Sequence, residues 1–244
     1  MFGLTAGPSA RILAAPILTA AAVTALLAAA VFPPAAAAVT TVTINNNVLR
    51  AVSGPGETND ITVDLDVTNG ELVISDSGAG VATLLPCGPS GIGVACPLSS
   101  SRPPQVLVRT GDRRDRVQQQ LAFALFSPIL FFRAGSRIVF DGGPGDDSLY
   151  GGMAVDRLIG GQGNDRMFGF EGPDTLLGGP GKDILDRPGS AGPITLAGGR
   201  DTYLAGPGAD RVRARDFTRD LRIDCGPGAD RLARDAFDPA ARSC

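Results

Sequence analysis

Histidine and tryptophan are absent from the 244 residues, and the chain holds one lysine, Lys182, and two tyrosines. Without imidazole there is no His-based zinc hydrolase motif, no Ser-His-Asp or Cys-His nucleophile and no imidazole general base. Positive charge is in short supply too. With 22 Lys and Arg against 25 Asp and Glu, the net charge is −3 and the pI near 5.0, so no basic field exists to capture a phosphate backbone. Nucleic acid is not an expected partner. What the chain has in quantity is Gly (33) and Pro (19), a composition of short strands and many turns rather than of a helical bundle.

At the N-terminus Arg11 precedes an apolar run from Ile12 to Phe32, followed by Pro33, Pro34 and the small residues Ala35 to Ala38. This reads as an export signal, residues 1–38, cleaved after Ala38. The run approaches the ~20 residues that cross a bilayer, so a retained anchor is the alternative. Cleavage implies a secreted, extracellular product without stable membrane insertion. Export also suits disulfides. Of the three connectivities open to four cysteines, the local pairs Cys87–Cys96 and Cys225–Cys244 are expected, since neither has the CxxC spacing of a zinc site.

Residues 39–140 form a β-rich region in which TVTINN, ITVDLDV, ELVISDS and QVLVRTG alternate apolar and polar residues as strands do. Asn69-Gly70, between the second and third runs, marks a hairpin because both residues tolerate positive φ. Leu121–Phe132, interrupted by Pro128, is too short for a membrane-spanning helix and reads as core or a cap.

From Gly142 the chain falls into blocks of nine: GGPGDDSLY, GGMAVDRLI, GGQGNDRMF, GFEGPDTLL, GGPGKDILD. The sixth place is Asp147, Asp156, Asp165, Asp174 and Asp183, and the eighth is Leu149, Leu158, Met167, Leu176 and Leu185. After a degenerate block, Arg187 to Thr195, the same frame resumes with Asp201 and Asp210, so the repeats span 141–213 and a decayed, disulfide-closed cap occupies 214–244. Each column has a physical task. Glycine supplies the turn conformations a Cβ would strain, and the eighth residue faces inward while its neighbours face solvent. One buried aliphatic contributes roughly 1.5–3 kcal/mol, against an ordering cost of ~1–2 kcal/mol for each of nine backbones. Something further must hold such coils together. The sixth-place carboxylates and the turn carbonyls are the oxygen ligands that Ca2+ selects, and carboxylates stacked ~4.8 Å apart repel unless a divalent ion lies between them.

The blocks resemble the glycine-rich nonapeptide G-G-x-G-x-D-x-U-x of the haemolysin-type calcium-binding, or repeats-in-toxin, family. Three blocks match every fixed place; GGMAVDRLI has Ala154 at the fourth and GFEGPDTLL has Phe170 at the second. The resemblance implies an all-β fold, a parallel β-roll or β-solenoid, with each ion shared by turns two blocks apart. The implied ligands are Asp147, Asp156, Asp165, Asp174, Asp183, Asp201 and Asp210, with the turn residues Gly142, Pro144, Gly151, Gly160, Gln162, Gly178 and Pro180. One edge is expected to carry Asp147, Asp165, Asp183 and Asp201. The other carries Asp156, Asp174 and Asp210, with Gly192 where an Asp is expected; its ions are expected to be the weaker. Decayed blocks at Thr110–Val117 and Cys225–Ala233 place Asp115 and Asp230 as sixth-place equivalents.

The function this suggests is calcium binding by an exported, non-catalytic protein with a structural, adhesive or scaffold role, whose partners besides calcium are cell-surface or extracellular macromolecules. Two alternatives stay open on sequence alone. One is a calcium-dependent extracellular enzyme using the N-terminal region, and the other a membrane-active toxin using Leu121–Phe132.

Overall fold

The computed structural model describes residues 40–66, 71–78, 80–83, 86–90, 93–98, 103–119, 136–186 and 199–244, all within the compact unit Ala38–Cys244. The segments read as an export signal, as the Asn69-Gly70 turn and as Leu121–Phe132 lie outside the described residues. Among the described residues there are nineteen strands and no helix. Hairpins open the chain: β1 (Thr40–Asn45) with β2 (Val48–Val52), then β3 (Asp60–Asp66) with β4 (Glu71–Asp76). Asn46 and Asn47 close the first with φ of 51° and 62°, the positive values a two-residue turn requires and Asn tolerates. Three short strands follow, β5 (Val81–Thr83), β6 (Gly88–Ser90) and β7 (Gly93–Pro97).

From there the chain winds. The strands are β8 (Gln105–Arg109), β9 (Arg116–Gln119), β10 (Arg137–Pro144), β11 (Ser148–Gly152), β12 (Val155–Gln162), β13 (Arg166–Phe170), β14 (Thr175–Leu177), β15 (Ile184–Asp186), β16 (Thr202–Leu204), β17 (Arg211–Ala214), β18 (Arg222–Asp224) and β19 (Arg231–Arg234). From β8 onward the even-numbered strands lie in one sheet, of order β18-β16-β14-β12-β10-β8-β2-β1-β5, and the odd-numbered strands in the other, of order β19-β17-β15-β13-β11-β9-β3-β4-β7-β6. Every pairing from β8 onward is parallel. This is the expected solenoid of coils, each coil giving one strand to each sheet. The sheets run unbroken across residue 140, where only the regularity of the sequence changes.

The core follows from the eighth-place column. Leu158, Leu176 and Tyr203 from one sheet and Met167, Leu185 and Val212 from the other are at most 1% exposed and share a single cluster. Outward, Tyr150 stacks on Phe168 at 5.1 Å with Arg116 above the tyrosine ring at 5.3 Å, so the solvent face of one sheet carries its own ladder. Disulfides Cys87–Cys96 and Cys225–Cys244 form as the spacing suggested. The second joins the start of the last coil to the final residue.

The coil length varies along the stack. Successive coils are 18 residues apart where Asp147 meets Asp165, 27 where Asp183 meets Asp210, and 20 where Asp210 meets Asp230. The 27-residue step corrects the expected edges. An additional nine residues enter between β15 and β16 without adding a rung, so Asp201 falls beside Asp174 and Asp210 beside Asp183, the reverse of the simple 18-residue extrapolation. Gly192 lies outside the described residues.

Candidate metal centre

The sixth-place aspartates form two buried columns, one on each edge of the stack. On the first, a backbone N–H of one coil donates to Oδ1 of the next: Asn59 to Asp115, Asp115 to Asp147, Asp147 to Asp165, Asp165 to Asp183, Asp183 to Asp210 and Asp210 to Asp230, all at 2.7–2.9 Å. The second runs Asp156 to Asp174, Asp201, Asp220 and Asp238 in the same manner, at 2.9–3.1 Å. The decayed blocks thus contribute the anticipated Asp115 and Asp230. Asn59, Asp220 and Asp238 are additional members, with no glycine-rich nonapeptide around them to signal their role.

In each carboxylate of the first column one oxygen is used and the other is not. Oδ2 of Asp115, Asp147, Asp165, Asp183, Asp210 and Asp230 is buried without a hydrogen-bond partner. Buried anionic oxygens of this kind are costly unless something cationic satisfies them. Burial is the first cause that pushes Asp147 and Asp183 up to about 7 and Asp165 to about 6, against the lowering effect of the backbone hydrogen bond each accepts; Asp165 and Asp115 add repulsion at Asp147. On the second edge burial pushes Asp156 up to about 7 as well.

The turn glycines explain where those oxygens point. A Cβ on Gly160 would collide with Asp165 Oδ2 and stand 2.7 Å from Gly178 O of the next coil; one on Gly142 would meet Asp147 Oδ2 and lie 2.9 Å from Gly160 O. Gly178 has Asp183 Oδ2 and Ala205 O in the same relation. The first-place glycine therefore leaves open a small cleft lined by a carboxylate and a carbonyl from the next coil. At the second place Gly143, Gly161 and Gly179 have φ of 88°, 114° and 109°. Phe170, which replaces that glycine, still adopts +72°, so the turn geometry is imposed by the coil even where a side chain strains it.

Carbonyls at the third place hold the turns in register: Gly145 N donates to Gln162 O at 2.7 Å and Gly163 N to Pro180 O at 2.9 Å. Each keeps a second lone pair for a cation. The second- and fourth-place carbonyls, such as Gly143 O and Gly145 O, face the glycines of the following coil and add oxygens that sequence reading did not single out. Fifth-place residues make a further ladder, in which Asn164 N donates to Asp146 Oδ1 and Lys182 N to Asn164 Oδ1, with Arg114 paired to Asp146 at 3.1 Å. The backbone hydrogen bond from Asn164, then Arg114, holds the half-buried Asp146 below the usual carboxylate range.

The edges differ in which carboxylate oxygen is orphaned: at Asp156 it is Oδ1. On the second edge the cleft beside Gly151 does pair Asp156 Oδ2 with Gly169 O, but that Oδ2 already accepts a 2.6 Å hydrogen bond from Gly152 N. The donor set throughout is oxygen alone, anionic and carbonyl, with gaps at first-place glycines: the residues fit a hard divalent ion. Among known families, the model of the RTX calcium-binding nonapeptide repeat matches residues 139–167 and 150–185. No curated protein and no solved structure matches the chain. Residues 139–185 thus carry the RTX calcium-binding nonapeptide repeat, and the ion such repeats bind is calcium.

Proposed function

We propose that the protein is an exported, non-catalytic scaffold whose solenoid is stiffened by calcium held between coils, serving a structural or adhesive role at the cell surface or in the extracellular medium. The supporting observation is the column of buried carboxylates with one oxygen bonded to the neighbouring coil and the other orphaned beside a first-place glycine. In this reading Asp147, Asp165 and Asp183, with the carbonyls of Gly142, Pro144, Gly160, Gln162, Gly178 and Pro180, hold the tighter ions; Asp210 extends that column. Asp156, Asp174 and Asp201, with Gly151, hold the weaker ones. The domain division follows: 1–38 signal, 39–140 the β-rich start of the stack, 141–213 the calcium-binding repeats and 214–244 the cap.

Calcium here acts as a cross-link and counter-charge; the chain's own part is to present oxygens from two coils at once. The test is calcium titration of the chain followed by circular dichroism. Gain of β signal at ~10⁻⁴ to 10⁻³ M calcium, reversed by chelator, is expected. Equal order in excess chelator overturns the reading.

A further inference from the structure

The last two turns on the second edge do not follow the nonapeptide rule. Between β17 and β18 the chain runs Arg215-Asp216-Phe217-Thr218-Arg219-Asp220-Leu221, with no glycine, and the coil lengthens to 20 residues. Asp220 keeps the column role, accepting Asp201 N at Oδ1 over 3.1 Å. Asp216 has no counterpart in the glycine turns. Its backbone N donates to Asp235 Oδ2 at 2.9 Å, and its Oδ1 accepts Thr218 N at 2.8 Å with Thr218 Oγ1 at 2.7 Å, so the side chain is anchored in one orientation. Asp201 is anchored from both sides, by Asp174 N at Oδ1 and by the Tyr203 hydroxyl at Oδ2.

These three side chains converge: one carboxylate oxygen from each lies within 4.8 Å of the others, and all three residues are buried. Independently, Asp220 Oδ2 has no hydrogen-bond partner although the residue is only 2% exposed. The arginines interleaved with the acids, Arg215 and Arg219, are exposed. We propose that Asp201, Asp216 and Asp220 bind a calcium ion through side-chain carboxylates, in a site built differently from those of the glycine turns. Where a repeat turn draws on carbonyls, this one concentrates negative charge, and the number of charged ligands is a main determinant of calcium affinity.

Tyr203 makes the site readable. It is one of two tyrosines in a chain without tryptophan, and its hydroxyl lies 3.3 Å from Asp201 Oδ2, so terbium bound by the trio is sensitised by exciting that ring. In a Tyr150→Phe background, tyrosine-sensitised terbium emission that calcium displaces is expected. Adding Asp216→Asn, which preserves the acceptor for Thr218, should weaken terbium binding about tenfold or more. Emission that survives Asp216→Asn but disappears with Asp174→Asn would assign the ion to the glycine turns and overturn the proposal. A crystal of the unmodified chain grown with terbium gives a check free of any folding defect: an anomalous peak bounded by all three carboxylates is expected, and no peak there refutes the site. Calorimetry on Asp165→Asn scores the repeat ions separately, so either reading can fail without the other.

Discussion

Removing calcium and changing pH together should move the stability of this protein in a direction opposite to that of its calcium-loaded form. Asp147 and Asp183, pushed up to about 7 from 3.8, and Asp165, pushed to about 6, hold protons in the folded coil that they lose in the unfolded chain. A raised folded value means that the stabilising contribution is complete below 3.8 and is lost as pH climbs through 6 to 7. Full ionisation of one such group costs the folded state about 4 kcal/mol, and the three together on the order of 10 kcal/mol. That is comparable with the whole stability of a typical domain, ~5–15 kcal/mol. In excess chelator the thermal midpoint and β signal should therefore be higher at about pH 5 than at about pH 8. With calcium present the order reverses, because the ion requires ionised ligands and must displace their protons. The measurement is a pair of circular-dichroism melts across that range, with and without chelator. A chelated chain equally stable at both ends of the range would refute the argument that these columns need a counter-charge.

Four further outcomes are expected. Asp165→Asn should raise the calcium concentration at half-saturation about tenfold or more and remove more ions in calorimetry than Asp156→Asn, whose Oδ2 is already bonded to Gly152 N. Gly161→Ala places a Cβ against Gly143 O at a φ of 114° and should lower stability by at least ~1–3 kcal/mol in chemical denaturation. Leu158→Ala empties a fully buried eighth-place position and should cost about 2–5 kcal/mol by the same assay. Breaking Cys225–Cys244, which closes a 19-residue separation, should cost about 3 kcal/mol and show first as amide exchange in β18 and β19.

What could be read from the sequence was what repeats locally. The Asp and Leu columns recur every nine residues, so strand, core and carboxylate positions from Asp147 to Asp183 follow from counting, and the short cysteine spacings lead to the disulfides that form. The edge assignments of Asp201 and Asp210 did not follow. They depend on how many residues separate two rungs, and a step of 27 rather than 18 shifts every later partner by half a coil. Asn59 was equally invisible, since its place in the column is set by pairing with Asp115 at a separation of 56 residues. The 20-residue coil did leave a trace: Gly206-Pro207-Gly208-Ala209-Asp210-Arg211 recurs intact at Gly226–Arg231.

The loss of glycine from the turn at 215–220 also changes what that turn can offer an ion. An internal turn can borrow oxygens from coils on both sides, so one carboxylate per turn and a few carbonyls surround an ion. The turn at 215–220 has a neighbour on each side, since Asp201 N donates to Asp220 Oδ1 and Asp220 N to Asp238 Oδ1, but it has no glycine to open a cleft towards a neighbouring carbonyl. The step from Asp201 to Asp220 is 19 residues, and Asp216 stands beside both, offering a side-chain carboxylate where the glycine turns offer carbonyls. Cys244 then ties the chain end back to Cys225 at the start of the last coil. An ion at the proposed site of Asp201, Asp216 and Asp220 would join the Cys225–Cys244 bond in holding β18 and β19 against local opening.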